Sequence, residues 1–386
     1  MTTFRKIVSA GLVSAGMLIG GTLGMTSAAM AIDPGTYKIG WVADRTGVVA
    51  FAGVSYAQGG QLAVEEINAS GKLGDGVKLE IVEREGASEP ARSIQGYNQL
   101  VADREIIATA CCIFSGIAGA LKPIAKNNGV PLVFYGATMP NLPELPLIYN
   151  VTSLPGVQEV ALSKYLVEVL KPKTVAYFVL ADNEAFQQRY KASREVFEAA
   201  GAETVGVATA LGHDTDFTAQ ATQLIALKPD LIMVYVTQIP AAGFIQAVRQ
   251  RGWEGHMATN EAISPIAVWK KIGEALAGVP FSVAFTADTA ETPPAKAFVE
   301  NYRKKFGADP DVYAAQGYTA VQLIAQGLEK LQGKPTREQL AEAMASLNTI
   351  ENDVFGGIKL VDGQLITDKN NFVAWTREGK IAPWKP

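Results

Sequence analysis

Short apolar segments rich in β-branched residues alternate with segments of helical periodicity from Tyr37 to Phe285. This alternation predicts parallel sheets that are covered by helices on both faces. The expected strands are Tyr37–Val42, Val77–Glu83, Ile106–Cys112, Val130–Tyr135, Thr174–Leu180, Thr204–Ala210, Leu231–Val236 and Val279–Phe285. The expected helices are Val54–Ala69, Glu89–Asp103, Ile117–Asn128, Pro155–Leu170, Glu184–Ala200, Phe217–Leu227 and Ile239–Arg251.

A loop that contains three prolines, from Gly136 to Pro146, interrupts this alternation after the fourth strand. A single eight-stranded sheet is one possible arrangement, but the loop favours a crossing point between two lobes. After Phe285, helical segments follow one another without strands between them, which indicates that the chain returns to pack on the first sheet. The expected late elements are helices Pro293–Phe306, Val312–Leu331 and Thr336–Leu347 and strands Val354–Leu360 and Asn371–Thr376.

The N-terminus has the layout of a secretory signal peptide. Arg5 and Lys6 precede an apolar stretch of small residues from Ile7 to Leu23, and Ala29-Met30-Ala31 is a cleavage site of the A-x-A kind. Glycines within the stretch disfavour a retained transmembrane anchor. We therefore expect residues 1–31 to be removed and the mature protein to be exported and soluble.

The composition excludes several classes of function. The 34 Lys and Arg residues are outnumbered by 38 Asp and Glu residues, which gives a net charge of −4 and argues against a nucleic-acid partner. Two cysteines and two histidines leave little for a metal site. No phosphate-binding or dinucleotide-binding glycine motif occurs, so we expect neither a metal nor a cofactor.

The neighbouring residues Cys111 and Cys112 end a buried strand. Adjacent cysteines do not easily reach the Cα separation of an ordinary disulfide. We expect small thiols in the core here, and a fold that stands without a disulfide cross-link.

The segment Phe114-Ser115-Gly116 lies between a strand and a helix, where a serine hydrolase would carry its nucleophile. Position 113 is Ile, however, where that motif has its first glycine, and the base would have to be His213 or His256. The N–H groups that open a helix, together with a serine hydroxyl, also suit an anion. A secreted serine hydrolase therefore stays open as an alternative of another class.

A set of short motifs, in this order along the chain, resembles the periplasmic binding proteins of the leucine/isoleucine/valine type. These proteins are the substrate-binding components of ABC importers. The resemblance extends from Tyr37 to Trp375. Its motifs are Ile39-Gly-Trp-Val, Thr46-Gly47, Ala63-Val-Glu-Glu-Ile-Asn68, Gly129-Val-Pro-Leu-Val133, Gly136-Ala-Thr138, Asp216-Phe-Thr-Ala-Gln220 and Tyr313-Ala-Ala-Gln-Gly-Tyr318.

The resemblance implies an α/β fold of two lobes, each a mostly parallel sheet flanked by helices, that are joined by three hinge crossovers. The lobes would be residues 32–153 with 286–354 and residues 154–285 with 355–386. It implies a periplasmic receptor, not an enzyme, that binds a small carboxylate-bearing ligand between the lobes. A monomer is the default expectation. The receptor would deliver this ligand to a permease and an ATPase at the inner membrane.

Site residues follow from the same resemblance. The ligand carboxylate would meet the segment at Ser115 and Gly116 and the loop at Gly136, Ala137 and Thr138. The second lobe would contribute Phe186, where Tyr is usual in the family, together with Gln238 and Glu261, whose carboxylate would pair with an α-ammonium. The two turns, 113–116 and 136–138, should therefore face one shared cavity.

Two ligand classes fit these residues. An apolar or branched-chain amino acid would use Glu261. An aromatic carboxylate would instead use Arg45, which can grip a carboxylate with two N–H groups, and rings such as Phe51, Tyr135 and Phe186. A solvated surface pair of Asp44 and Arg45 is the alternative interpretation of that segment.

Overall fold

The computed structural model describes residues 32–139, 141–152, 156–367 and 371–386. The predicted signal peptide and the predicted helix start at Pro155 lie outside these residues. Among the residues that the structure describes, no helix is long and apolar enough to cross a membrane.

The described residues form strands and helices that alternate as far as β10, except that β5 follows β4 without a helix between them. The strands are β1 (Gly35–Ala43), β2 (Val77–Glu85), β3 (Ile106–Cys111), β4 (Leu132–Phe134), β5 (Ile148–Asn150), β6 (Thr174–Leu180), β7 (Glu203–Ala210), β8 (Leu231–Tyr235), β9 (His256–Thr259), β10 (Phe281–Val283), β11 (Ile358–Val361), β12 (Gln364–Thr367), β13 (Asn371–Trp375) and β14 (Ile381–Pro383).

The α-helices are α1 (Ala50–Ser70), α2 (Pro90–Ala102), α3 (Ser115–Asn128), α4 (Val157–Leu170), α5 (Glu184–Ala199), α6 (Thr218–Ala226), α7 (Gln238–Gln250), α8 (Ile266–Ile272), α9 (Pro293–Phe306), α10 (Val312–Leu328) and α11 (Arg337–Ala345). Short 3₁₀ turns lie at Glu261–Ile263, Gly273–Leu276 and Ala287–Thr289.

Two seven-stranded sheets organise the chain. The first has the order β11-β12-β5-β4-β3-β1-β2, and the second has the order β14-β13-β10-β9-β8-β6-β7. Neighbouring strands pair in parallel except at one edge of each sheet, where β11 runs antiparallel to β12 and β13 runs antiparallel to both of its neighbours. This arrangement confirms the predicted two-lobed α/β class.

The central strands of both sheets are buried on both faces. Every residue of β3 and of β8 is buried, because helices cover each sheet from both sides. A strand in such a position has an unbroken apolar sequence rather than an alternating one. The sequence therefore predicts these strands.

The chain passes between the sheets three times, after β5, after β10 and after β12. The last passage corrects the predicted lobe boundary between residues 354 and 355. Strands β11 and β12 belong to the first sheet, because Gln364 of β12 pairs with Asn150 of β5. Residues 355–367 were therefore assigned to the wrong lobe.

Helices α1 and α10 pack unusually close together in the first lobe. A Cβ added at Gly59 would lie 1.9 Å from the carbonyl oxygen of Ala314, and one added at Gly317 would lie 2.1 Å from that of Tyr56. Glycine on each helix thus lets the two backbones touch. The contact presents Tyr313, at the start of α10, to the space between the lobes.

Cys111 and Cys112 form a vicinal disulfide in the structure, where we expected free thiols. The bond joins consecutive residues at the end of β3 and connects no two elements. The described part of the fold therefore has no cross-link between distant segments.

Candidate functional site

Loops at the carboxyl ends of parallel strands in both lobes surround one cavity of about 90 Å³, the edge at which open α/β sheets bind ligands. The first lobe contributes Val49, Phe51, Ala52, Tyr56, Ile113, Phe114, Ser115, Gly136, Thr138 and Tyr313 to its wall. The second lobe contributes Asn183, Ala185, Phe186, Arg189, Thr237, Gln238, Asn260, Glu261 and Ala262.

The polar groups on the first-lobe wall are uncharged. The backbone N–H of Thr138 donates to the Ser115 Oγ at 3.3 Å, so the loops after β3 and β4 meet at the cavity. Helix α3 begins at Ser115, and the first N–H groups of a helix have no partner within it. This wall offers directional donors to an anion without a buried counter-charge.

Three aromatic side chains of the first lobe stand beside these donors. The ring of Tyr313 lies 5.3 Å from that of Tyr56 and 6.1 Å from that of Phe51. The Tyr56 hydroxyl donates to the Gln316 Oε1 at 2.9 Å. Burial raises the pKa of both Tyr56 and Tyr313 well above the ordinary value, so both phenols stay neutral at physiological pH.

The second-lobe wall carries the charge. Glu261 opens the short turn after β9, and the Asn260 side chain caps that turn by accepting from the Ala262 N–H at 2.8 Å. The side chain of Glu261 is 22% exposed. Its two oxygens accept from the two terminal nitrogens of Arg189 at 2.9 and 3.0 Å.

A second carboxylate contacts Arg189 on the side away from the cavity. It lies one helical turn after Phe186 on α5, and its Nη1 also donates to the Glu159 Oε1. The other oxygen of Glu159 accepts from the Gly156 N–H at 3.0 Å. The side chains of Arg189 and Glu159 are only 7% and 3% exposed. We call Glu159, Arg189 and Glu261 the charged triad.

The triad perturbs the pKa values of its own members. Burial, followed by the charge of the nearby Glu261, raises the pKa of Glu159 although Arg189 opposes this shift. Burial acts to lower the pKa of Arg189, but the two carboxylates outweigh it and raise that pKa. The guanidinium is therefore permanently charged.

The structure brings seven of the ten predicted site residues to the cavity, namely Phe51, Ser115, Gly136, Thr138, Phe186, Gln238 and Glu261. Gly116 lies further out, in a second cavity of about 640 Å³ whose lining includes Ile117, Met139 and Glu184. Ala137 is fully buried below the loop, where its carbonyl accepts from the Asn150 Nδ2 at 3.0 Å. The two predicted turns face the same cavity.

Arg45 does not reach the cavity, which corrects its predicted role. Its guanidinium is occupied by Glu83, to which its Nε and Nη2 donate at 2.7 Å each. Asp44 does not pair with Arg45, because it is buried and accepts from the Ser88 N–H at 2.6 Å. The surface pair of Asp44 and Arg45 is therefore also wrong.

Tyr135 does not line the cavity either. Its ring stacks on that of Trp41 at 4.9 Å, and its hydroxyl donates to the carbonyl of Val42 within the first-lobe core. The set of rings that we predicted for an aromatic ligand therefore loses Tyr135. Phe51 and Phe186 remain, one on each wall.

Sequence reasoning missed several wall residues, among them Tyr56, Asn183, Arg189 and Tyr313. Two of these had a readable signal. Tyr313 opens one of the motifs that carried the resemblance, and Arg189 follows Phe186 by three residues, the spacing of neighbours on one helical face. Glu159 gave no signal, because its partner lies 30 positions away.

The geometry does not support serine hydrolysis. His213 and His256 are both exposed, and neither belongs to the cavity wall that holds Ser115. A serine nucleophile needs a base within hydrogen-bond reach. Within the described residues, no cluster of His, Cys, Asp and Glu is arranged to hold a metal ion.

The family profile described as "Periplasmic binding protein" matches residues 36–380 of this chain. The chain therefore belongs to the periplasmic binding protein family. This membership confirms that it is a solute-binding protein and not an enzyme. The predicted resemblance to the leucine/isoleucine/valine type is confirmed as well by the relatives that follow.

The chain is 26% identical to the "Leu/Ile/Val-binding protein homolog 3" of Brucella melitensis, over 93% of this chain and 95% of that protein. Among solved structures, it is similar to the branched-chain amino acid substrate-binding protein LivJ of Streptococcus pneumoniae in complex with isoleucine. That likeness has a TM-score of 0.82 and 25% identity and covers 90% of this chain and 98% of that one.

A second solved structure is an ABC-transporter solute-binding protein of R. palustris in complex with benzoate. It has a TM-score of 0.78 and 20% identity to this chain and covers 90% of this chain and 95% of that one. At this identity the likeness shows the fold alone.

Proposed function

We propose that this protein is the solute receptor of an ABC importer and that its ligand is an apolar or branched-chain amino acid. One observation carries the proposal: neutral donors and a carboxylate stand on opposite walls of a single cavity. The donors at Ser115 and Thr138 suit a ligand carboxylate, and Glu261 suits an ammonium group. The kinship with leucine/isoleucine/valine-binding proteins supports the same ligand class.

Both oxygens of Glu261 already accept from Arg189, and this does not prevent a further contact. An ionised carboxylate offers about four acceptor positions, of which Arg189 uses two. The remaining positions are free for an ammonium group that enters from the cavity.

An aromatic carboxylate is the second candidate ligand. The observation that favours it is the aromatic lining, in which Phe51 and Tyr313 of one lobe face the same cavity as Phe186 of the other. A solved structure of the same fold holds benzoate. Such a ligand would leave Glu261 without an ammonium partner.

Calorimetric titration of wild type and Glu261→Gln with L-leucine and with benzoate separates the two ligands. If the ligand is an amino acid, the substitution weakens leucine binding by about 100-fold, because an ammonium group loses its buried counter-charge. Glu254→Gln is the control, since the Glu254 side chain is 83% exposed. Tight benzoate binding that the substitution leaves intact would favour the aromatic ligand, and a wild type that binds neither probe contradicts both.

The partners and the compartment complete the proposal. A ligand-closed receptor presents a surface made by both lobes to a membrane permease, which an ATPase drives. We also propose that the protein acts in the periplasm as a monomer after removal of residues 1–31. Expression of the full chain in a Gram-negative host, followed by mass spectrometry and light scattering of the periplasmic fraction, tests this, and the expected N-terminus is Ile32.

A further inference from the structure

A buried carboxylate stands behind the cavity wall without belonging to it. Arg189 and Glu261 are the charged residues among those that line the cavity, and their charges cancel. Glu159 lies behind Arg189 on α4 and adds one further negative charge. The three members of the charged triad come from three different elements, α4, α5 and the turn after β9.

The hydrogen bonds around Glu159 indicate that it is ionised. One of its oxygens accepts from Arg189, and the other accepts from the Gly156 N–H at 3.0 Å. In the ionised form both are charge-assisted hydrogen bonds, one of them to the permanently charged guanidinium, and protonation would replace them with weaker bonds to a neutral group. The triad therefore carries two negative charges and one positive charge.

A net charge at this position acts strongly on the ligand. The side chains of Glu159 and Arg189 are almost completely buried, so solvent screens them much less than it screens surface pairs. The wall opposite, around Ser115 and Thr138, bears no formal charge. Among the residues that line the cavity, formal charge is thus confined to the second lobe.

We infer that Glu159 is a selectivity residue that acts through Arg189: it keeps the second-lobe wall net negative, so that the cavity favours a ligand with a cationic group over the same molecule without one. The inference rests on the proposed function and deepens it. Without Glu159, the guanidinium of Arg189 would neutralise Glu261, and a plain carboxylate would no longer be at a disadvantage.

The test uses two pairs of ligands that differ only in the ammonium group. These are L-leucine with 4-methylpentanoate and L-phenylalanine with 3-phenylpropanoate. Calorimetry gives the ratio of the two affinities within each pair. In Glu159→Gln, we expect the preference for the amino acid to fall by about tenfold or more, with weaker amino-acid binding and stronger binding of the plain acid.

A merely structural role for Glu159 would weaken both members of a pair equally and leave their ratio unchanged. That result would overturn the inference. The matched control is Glu198→Gln, which removes a carboxylate that pairs with Arg194 on the solvent side of α5, the helix that carries Arg189. This variant should keep the wild-type ratio.

The double variant Glu159→Gln with Arg189→Gln keeps the test decisive if the single variant does not fold. It removes one charge of each sign and leaves the wall at the net charge that we assign to wild type. We expect the ratio to stay within about threefold of the wild-type ratio. If Glu159 were protonated, wild type would be neutral here, and the double variant would raise the preference for the amino acid by about tenfold or more.

Failure of the inference and failure of the proposed function give different results. A wild type that binds L-leucine, combined with an unchanged ratio in Glu159→Gln, overturns the inference and leaves the function standing. A wild type that binds none of the four probes contradicts the proposed function itself.

Discussion

At the scale of single residues, buried charge is the most consequential feature of this molecule. The charged triad shows how carboxylates survive burial when each oxygen has a donor. Asp311, the N-cap residue of α10, is a second case. It accepts from the Ala314 N–H and from the Ser55 hydroxyl, both at 2.9 Å.

Asp311 should make folding stability depend on pH. Burial raises its pKa from 3.8 to about 6. The folded state therefore binds more protons than the unfolded state between about pH 4 and pH 6, and the free energy of unfolding falls as pH rises through that window. Asp311→Asn keeps the helix cap and should raise stability at pH 7 by roughly 1–3 kcal/mol.

Urea denaturation of wild type and Asp311→Asn at several pH values checks this prediction. The difference in unfolding free energy between the two should shrink toward zero below pH 4. Asp309→Asn is the control, because Asp309 is exposed and pairs with Arg303 at the surface. A difference that does not change with pH would show that Asp311 titrates normally in the folded protein.

At the scale of helices and strands, the prediction from sequence succeeded where the apolar pattern was clear. The eight expected strands as far as Phe285 all exist, because an unbroken apolar run marks a central strand between two helical layers and alternation marks the edge strand β2. Strands β5, β9, β12 and β14 were missed. They have only three or four residues each, whereas the equally short β4 and β10 lie within the longer apolar runs Val130–Tyr135 and Val279–Phe285.

The candidate site was predictable to the extent that its residues lie in loops after strands. Ser115, Thr138 and Glu261 follow β3, β4 and β9, and the resemblance marked each of them. The predicted ligand contact of Arg45 was wrong because a long side chain can turn to any neighbouring carboxylate. Glu83, which binds the Arg45 guanidinium, lies on the adjacent strand β2. The partner of a charged residue depends on strand order, which local pattern does not contain.

The contact between α1 and α10 provides a prediction at this scale. Gly317→Ala should lower the free energy of unfolding by about 3 kcal/mol, because the new methyl group meets the Tyr56 carbonyl rather than a flexible side chain. Forcing the helices apart should also move Tyr313 and weaken ligand binding. Thermal denaturation and calorimetry measure the two effects.

Gly116→Ala is the matched control for this substitution. Gly116 is also helical, and a Cβ there has no neighbour within 4 Å. Its stability should be unchanged or higher by up to about 1 kcal/mol, as alanine has the better helix propensity. An equal loss of unfolding free energy in Gly317→Ala and Gly116→Ala would mean that the contact between the two helix backbones does not cause the destabilisation.

At the scale of the whole molecule, groups from both lobes meet across the cavity. The Gln238 side chain of the second lobe donates to the Tyr313 hydroxyl of the first lobe at 3.1 Å. A ligand that touches both walls favours the arrangement in which they are close. X-ray scattering should therefore show a smaller radius of gyration when ligand is present.

Tyr313→Phe tests the contribution of this contact between lobes. Loss of the hydroxyl should weaken L-leucine binding by about 3- to 10-fold, which corresponds to the net contribution of one hydrogen bond. The melting temperature of the unliganded protein should stay nearly unchanged. Tyr302→Phe removes a similar bond to Gln58 within the first lobe and should not alter affinity. Equal affinities of wild type and Tyr313→Phe would contradict a role in closure.

The position of β12 has a consequence for how the protein is made. This strand pairs with β5 across more than 200 positions of sequence, and it lies close to the end of the chain. The first sheet is therefore incomplete until almost the entire polypeptide has left the ribosome. The second sheet receives β13 and β14 later still, so neither half of the molecule can be completed before the last residues of the chain have been made.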